Sequence, residues 1–96
     1  MSLLDHIPVG EANAVSTAEL LHKSNFRTVR AMQKEIHELR ESGVVICSRT
    51  DPPGGYYRPA NAAEATRFVR GMESRCREIE SAIKAARRYI DDIPEP

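Results

Sequence analysis

The chain is short of most of the residues that announce a chemistry. It has no tryptophan, two cysteines, and aromatics at only 5% of its 96 residues. Two cysteines, Cys47 and Cys76, build no disulfide framework and no CxxC motif, and both read as free, reduced and buried. Acids and bases balance at a formal net charge of zero. That balance counts against a protein that coats nucleic acid indiscriminately, but not against a specific binder, for which local charge decides. No apolar run approaches the ~20 residues a membrane span needs. The start, MSLLDHIPVGE, has no basic region and no long apolar stretch. It predicts no secretory signal, and a cytoplasmic location is the expectation.

Catalytic signatures are missing too. There is no phosphate loop, no nucleophile elbow and no paired His–carboxylate motif. His6, His22 and His37 are scattered, with no i,i+4 pair and no adjacent cysteine, which argues against a metal site. The chain reads as a non-enzyme with no cofactor.

What remains is an order of elements. The length allows one small domain. Ser2 to Ile7 suit one or two helical turns, ended by Pro8. Residues 10–13 read as a linker, and Ala14-Val15 as a short third strand. Ser16-Thr17-Ala18-Glu19 fits a capping box opening a short helix that runs through His22 and stops near Lys23-Ser24. Asn25 reads as the N-cap of a second helix over residues 26–42, with Gly43 at its C′ position. Val29, Met32, Ile36 and Leu39 make its buried stripe.

A β-branched run at 44–48 predicts a strand, Pro53-Gly54 the centre of a type II turn, and 56–58 the return strand, ended by Pro59. Tyr56 and Tyr57 point to opposite faces, one into the core and one out. Short helix, turn, longer helix and hairpin together predict a mainly α winged helix-turn-helix over residues 1–60.

Residues 61–93 predict one long helix, opened by Asn61 with Glu64 three residues on. Val69, Met72, Cys76, Ile79, Ile83, Ala86, Ile90 and Ile93 recur at three and four, an a/d heptad pattern. The helix either packs on its own domain or pairs with a second copy. Its length, about 45 Å, favours a homodimer through Val69, Met72, Cys76, Ile79, Ile83 and Ile90. The other charges of this helix read as a solvated face laced by i,i+4 pairs such as Glu73–Arg77 and Glu80–Lys84.

Between His22 and Arg49, Lys23, Arg27, Arg30, Lys34, Arg40 and Arg49 outnumber Glu35, Glu38 and Glu41. The segment is therefore basic inside a neutral chain. On the second helix Arg27, Arg30 and Lys34 fall opposite the apolar stripe. A recognition helix enters the major groove by its N-terminal half. Arg27 and Arg30 have the fork that fits guanine O6 and N7, Asn25 and Thr28 can add contacts, and Lys34 suits phosphate. Arg49 and Arg58 sit on the hairpin, where a wing meets phosphate or minor groove.

The order LLDHIP, NAVS, FRTVR, GVVICS, GGYYRP and long helix resembles the small winged-helix DNA-binding proteins of bacterial phages and prophages. The resemblance covers nearly the whole chain, with RxVR and GGYY…P its closest motifs. It implies double-stranded DNA binding, in transcriptional regulation or in excision of a mobile element. A two-fold dimer would set two reading helices about one DNA turn apart. Two rival expectations stand beside it. One is a protein-interaction module, which zero net charge suits. The other is a phage replication or packaging adaptor that does not bind DNA on its own.

Overall fold

The computed structural model describes residues 2–49 and 54–93. These are mainly helical, with three α-helices and one two-stranded antiparallel hairpin among them. A 3-10 turn at Leu3–His6 comes first, and a second 3-10 turn spans Glu11–Asn13. Helix α1 is Thr17–Ser24 and α2 is Val29–Glu41. Strands β1 (Cys47–Arg49) and β2 (Gly55–Tyr57) form the hairpin, and α3 runs from Ala62 to Asp92.

Local side-chain chemistry sets most of the boundaries. Ser16 Oγ accepts from Glu19 N–H at 3.1 Å and starts α1. Asn61 Oδ1 accepts from Glu64 N–H at 3.0 Å and starts α3. At the end of α2 the Gly43 N–H donates to Arg40 O and the Val44 N–H to Leu39 O. Gly43 has φ +103° there. These are the two bonds of a Schellman cap, and the Val44 and Leu39 side chains pack beside it.

The second helix starts later than its sequence predicts. Asn25 is the left-handed C-cap of α1, at φ 61° and ψ 22°. Asparagine is the side chain besides glycine that most readily takes this conformation, and it does so here in place of capping α2. Thr28 is the N-cap of α2 instead, its Oγ1 accepting from Ala31 N–H at 3.1 Å. Phe26 and Arg27 therefore lie in the turn between the two helices.

The core gathers Leu3, Ile7, Val15, Leu20, Met32, Ile36 and Ile46. It joins the first 3-10 turn, α1, α2 and the approach to β1. Val29, at the margin of the stripe, is 37% exposed because it sits in the first turn of α2. The hairpin is shorter than predicted. Residues 44 to 46 are not strand, and β1 begins at Cys47. Val45 is exposed, and Val44 turns onto the core to close the cap. The Pro53-Gly54 turn falls partly outside the described residues.

Val15 does pair with the hairpin. Its N–H and C=O exchange bonds with Tyr56 at 2.9 and 2.8 Å. That crossing explains Gly55, which has φ +132°. A Cβ there would sit 2.7 Å from the Val15 carbonyl oxygen. Tyr57 is buried opposite Cys47, while Tyr56 is half-buried against the core. Both tyrosines thus contribute to packing, one on each face of the hairpin.

Helix α3 packs against β1 only with its beginning. Glu64, Ala65, Phe68 and Met72 are half-buried, and every residue from Glu73 to Ile93 is exposed. The radius of gyration is 17.2 Å, against about 12–13 Å for a compact chain of this length. The difference is the helix, which projects beyond the body for some 30 Å. Cys76 lies on the projecting part and is exposed, contrary to the buried setting read for it, while Cys47 is free and buried.

Candidate nucleic-acid interface

The α1–α2 unit presents its outer surface through the turn and the N-terminal half of α2. Arg27, Thr28, Arg30 and Lys34 are all exposed there. Arg30, Lys34 and His37 line a shallow hollow with Thr28, Ala31 and Gln33. Arg30 and Lys34 share a helix face at i,i+4, as expected. Arg27 is not part of that face, because it precedes the N-cap. It stands in the turn, beside the start of the helix. The Thr28 hydroxyl already accepts the Ala31 N–H, so its role toward any ligand is limited to its remaining donor and lone pair. Asn25 is exposed on the far side of the turn from the helix start, at the end of α1.

Charge along the face changes sign toward its C-terminal end. His37 Nε2 lies 2.8 Å from Glu41 Oε1, an exposed i,i+4 pair. Glu38 is exposed in the same half. Positive charge is thus concentrated at the end of α2 where the free N–H groups add to it.

The two hairpin arginines differ. Arg58 is exposed, and its backbone is fixed by bonds to Pro8 O at 2.7 Å and from Gly10 N–H at 2.8 Å. Arg49 is only partly exposed, with Nε 4.0 Å from Glu11 Oε1. Its charge is shared with that carboxylate rather than offered at a tip.

Nothing in the sequence singles out Glu11. Its Oε2 accepts from Arg67 Nη2 at 2.9 Å and Nε at 3.3 Å. The hydrogen bond and charge of Glu11 push the exposed Arg67 guanidinium further up. The Glu11 N–H in turn donates to Glu64 Oε1 at 3.1 Å, which also accepts from Ala60 N–H at 2.9 Å. This network ties the second 3-10 turn to β1 and to the first turn of α3. Its partners are 53 and 56 residues away, so no local pattern could reveal it.

Arg40, counted among the bases of the segment, is structural. Its Nε donates to Ile46 O at 2.9 Å, and its guanidinium lies 5.4 Å from the centre of the Phe68 ring. Burial lowers its pKa, with the nearby Arg75 charge a lesser contribution in the same direction. Between the hairpin and α3 lies an open cavity of about 530 Å³, lined by Glu11, Arg49, Tyr57, Arg67, Phe68 and Arg75 among others. Two of its three cations already face Glu11.

Among the described residues no group of three or more His, Cys, Asp or Glu is placed to hold a metal ion. No described helix is long and apolar enough to cross a membrane. Comparison with protein-family models, curated proteins and solved structures gives no match for this chain. Any functional reading therefore rests on the geometry and on the sequence.

Proposed function

We propose that this protein binds double-stranded DNA as a winged helix-turn-helix, with α2 as the reading helix and the β1–β2 hairpin as the wing. The observation that carries the reading is the cluster of exposed cations formed by Arg30 and Lys34 on the outward face of the N-terminal half of α2 and by Arg27 in the turn before it. In the reading, Arg30 and Arg27 reach base edges or phosphates and Lys34 neutralises phosphate. Arg58 adds a backbone contact from the wing. Arg49 contributes less, since Glu11 shares its charge. The regulatory role, in transcription or in excision of a mobile element, follows from the resemblance to phage and prophage proteins.

Fluorescence anisotropy with random-sequence duplex DNA, titrated over salt, tests the reading. Wild-type protein should bind with a steep log–log salt slope, each neutralised phosphate contributing about 0.9 to it. Arg27→Ala/Arg30→Ala should weaken binding and flatten the slope by about 1 for each phosphate the variant no longer neutralises. Absence of binding by the wild type at low salt would overturn it.

A second reading, a protein-interaction module, is favoured by the zero net charge of the whole chain. It takes over if wild type and double variant bind DNA equally weakly.

A further inference from the structure

Helix α3 leaves an apolar stripe without cover. Ile79, Ile83, Ile90 and Ile93 are 54%, 45%, 67% and 46% exposed. A projecting helix of some 20 residues is marginal in water without tertiary packing. At 100° per residue, the stripe from Ile79 to Ile93 lies on the same side of α3 as Phe68 and Met72. Phe68 lies under the Arg40 guanidinium of the body, and Met72 is half-buried. The uncovered stripe is therefore the outward continuation of the face that holds the helix to its own domain.

This placement restricts how a second copy could cover it. In a parallel, in-register pair the two bodies would both occupy the space between the helices at their N-terminal ends. Parallel pairing would also stack Ala86 on Ala86 and Cys76 on Cys76, two thin layers that leave voids. An antiparallel pair avoids both problems, because each body lies beyond the end of the other helix.

Register follows from size and charge. With Val69, Cys76, Ile83 and Ile90 at a and Met72, Ile79, Ala86 and Ile93 at d, antiparallel layers pair a with d. Setting Cys76 opposite Ile93 of the second copy sets Ile79 opposite Ile90 and Ile83 opposite Ala86. Both small residues then meet an isoleucine. The flanking e positions bring Glu80 beside Arg87 of the second copy, twice by symmetry, and no like charges meet there. The alternative antiparallel register, one heptad deeper, pairs Cys76 with Ala86 and Glu80 with Glu80. It also drives the partner helix into the body at Met72.

We propose that α3 forms an antiparallel two-stranded coiled coil with a second copy of this chain, confined to residues 76–93, with Glu80–Arg87 pairs on its flanks. Val69 and Met72 stay outside the interface, Met72 serving its own domain. The pairing needs no DNA, so its failure leaves the reading-helix proposal standing, and the reverse.

Sedimentation equilibrium of the full chain, without DNA, tests it. Wild-type protein should be a dimer at micromolar concentration. Ile83→Asp should raise the dissociation constant by about 100-fold or more, since one substitution strips two isoleucines from the seam. Circular dichroism should show the body of that variant still folded. Glu80→Arg should weaken the dimer, and Glu80→Arg/Arg87→Glu should restore it. Register is read by mild oxidation: Ile93→Cys should crosslink to Cys76 of the second copy, while wild-type chains should not crosslink through Cys76. A monomeric wild type, a trimer, or an efficient Cys76–Cys76 crosslink in the wild type would each overturn the proposal.

Discussion

The guanidinium of Arg40 stands 5.4 Å from the centre of the Phe68 ring while its Nε donates to the Ile46 carbonyl at 2.9 Å. One side chain from α2 thus joins the start of the hairpin to the first part of α3. The first contact is distant in sequence and the second spans six residues, and the half-buried setting of the side chain strengthens both. Arg40 is in this way separated from the exposed cations of α2, although all belong to one basic segment.

Arg40→Ala should therefore destabilise the fold without acting on DNA. Loss of a charge-assisted bond and a ring contact amounts to about 2–4 kcal/mol. Urea unfolding followed by circular dichroism measures it. At a temperature where the variant is fully folded, its DNA affinity should equal that of the wild type. A large loss of affinity with unchanged stability would reassign Arg40 to the interface.

Glu64 should matter more than the ion pair next to it. Its Oε1 accepts two backbone N–H groups, of Ala60 and Glu11. Glu64→Ala leaves both without that acceptor and should cost about 1–3 kcal/mol. Glu64→Gln keeps a carbonyl oxygen in place and should cost less. Arg67→Ala removes only an exposed, solvent-screened partner of Glu11 and should cost less than Glu64→Ala. Thermal or urea unfolding of the three variants gives the order, and a larger effect of Arg67→Ala than of Glu64→Ala would contradict it.

The contrast between these residues explains what is legible in the sequence. Ser16 and Asn61 cap their helices as expected, because a cap is a bond between a side chain and a backbone group three residues away. Gly43 is legible because the C′ position takes a positive φ, which glycine adopts at little cost. Asn25 is ambiguous because asparagine favours both an N-cap and a left-handed C-cap, and the pattern around it satisfies either. Arg40 reaches Phe68 and Glu11 reaches α3 over long sequence separations, so charge counting places the one in a basic segment and overlooks the other. The heptad of α3 is plain in the sequence. Its length also signals that it outruns the body, but the point of departure is not legible, because the same stripe first packs on β1 and then runs on without it.

Thr28→Ala should destabilise α2 by about 1 kcal/mol, since its Oγ1 caps the Ala31 N–H. Thr28→Asp keeps an acceptor and adds charge at the helix N-terminus, so stability should be retained. In the DNA reading the added carboxylate would nevertheless repel phosphate. Stability and affinity should thus part company in Thr28→Asp. Unchanged DNA affinity would remove the start of α2 from the contact surface.

Alkaline pH should loosen the contact between the hairpin and α3. Burial pushes the Cys47 thiol above its ordinary 9.0 and the Tyr57 phenol above its ordinary 10.0. In both cases the neutral form is the one the fold accepts. A group whose pKa is raised on folding contributes stability that is complete below the unfolded value and is lost as pH rises through the folded one. Melting temperatures should therefore be insensitive to these two groups near neutrality and decline from about pH 9 upward. Cys47→Ala removes the earlier titration and should move the onset of the decline toward that of Tyr57. Cys47 should also resist alkylation until the protein unfolds. A flat profile to about pH 10.5, or fast alkylation of folded Cys47, would contradict the buried setting.

Gly55→Ala puts the crossing of Val15 over the hairpin to the test. Two costs add at this position. The backbone has φ +132°, which an alanine adopts only with strain, and the new methyl would meet the Val15 carbonyl oxygen at 2.7 Å. That oxygen cannot retreat without breaking the bond it accepts from the Tyr56 N–H at 2.8 Å. Glycine here is thus required both by its own backbone conformation and by the close approach of Val15, and a loss of several kcal/mol is expected. Gly71→Ala provides the control, since a methyl there meets nothing within 4 Å and favours the helix. Chemical denaturation should show Gly55→Ala strongly destabilised and Gly71→Ala neutral or slightly stabilised. Equal stability of the two variants would mean that Val15 does not hold the hairpin.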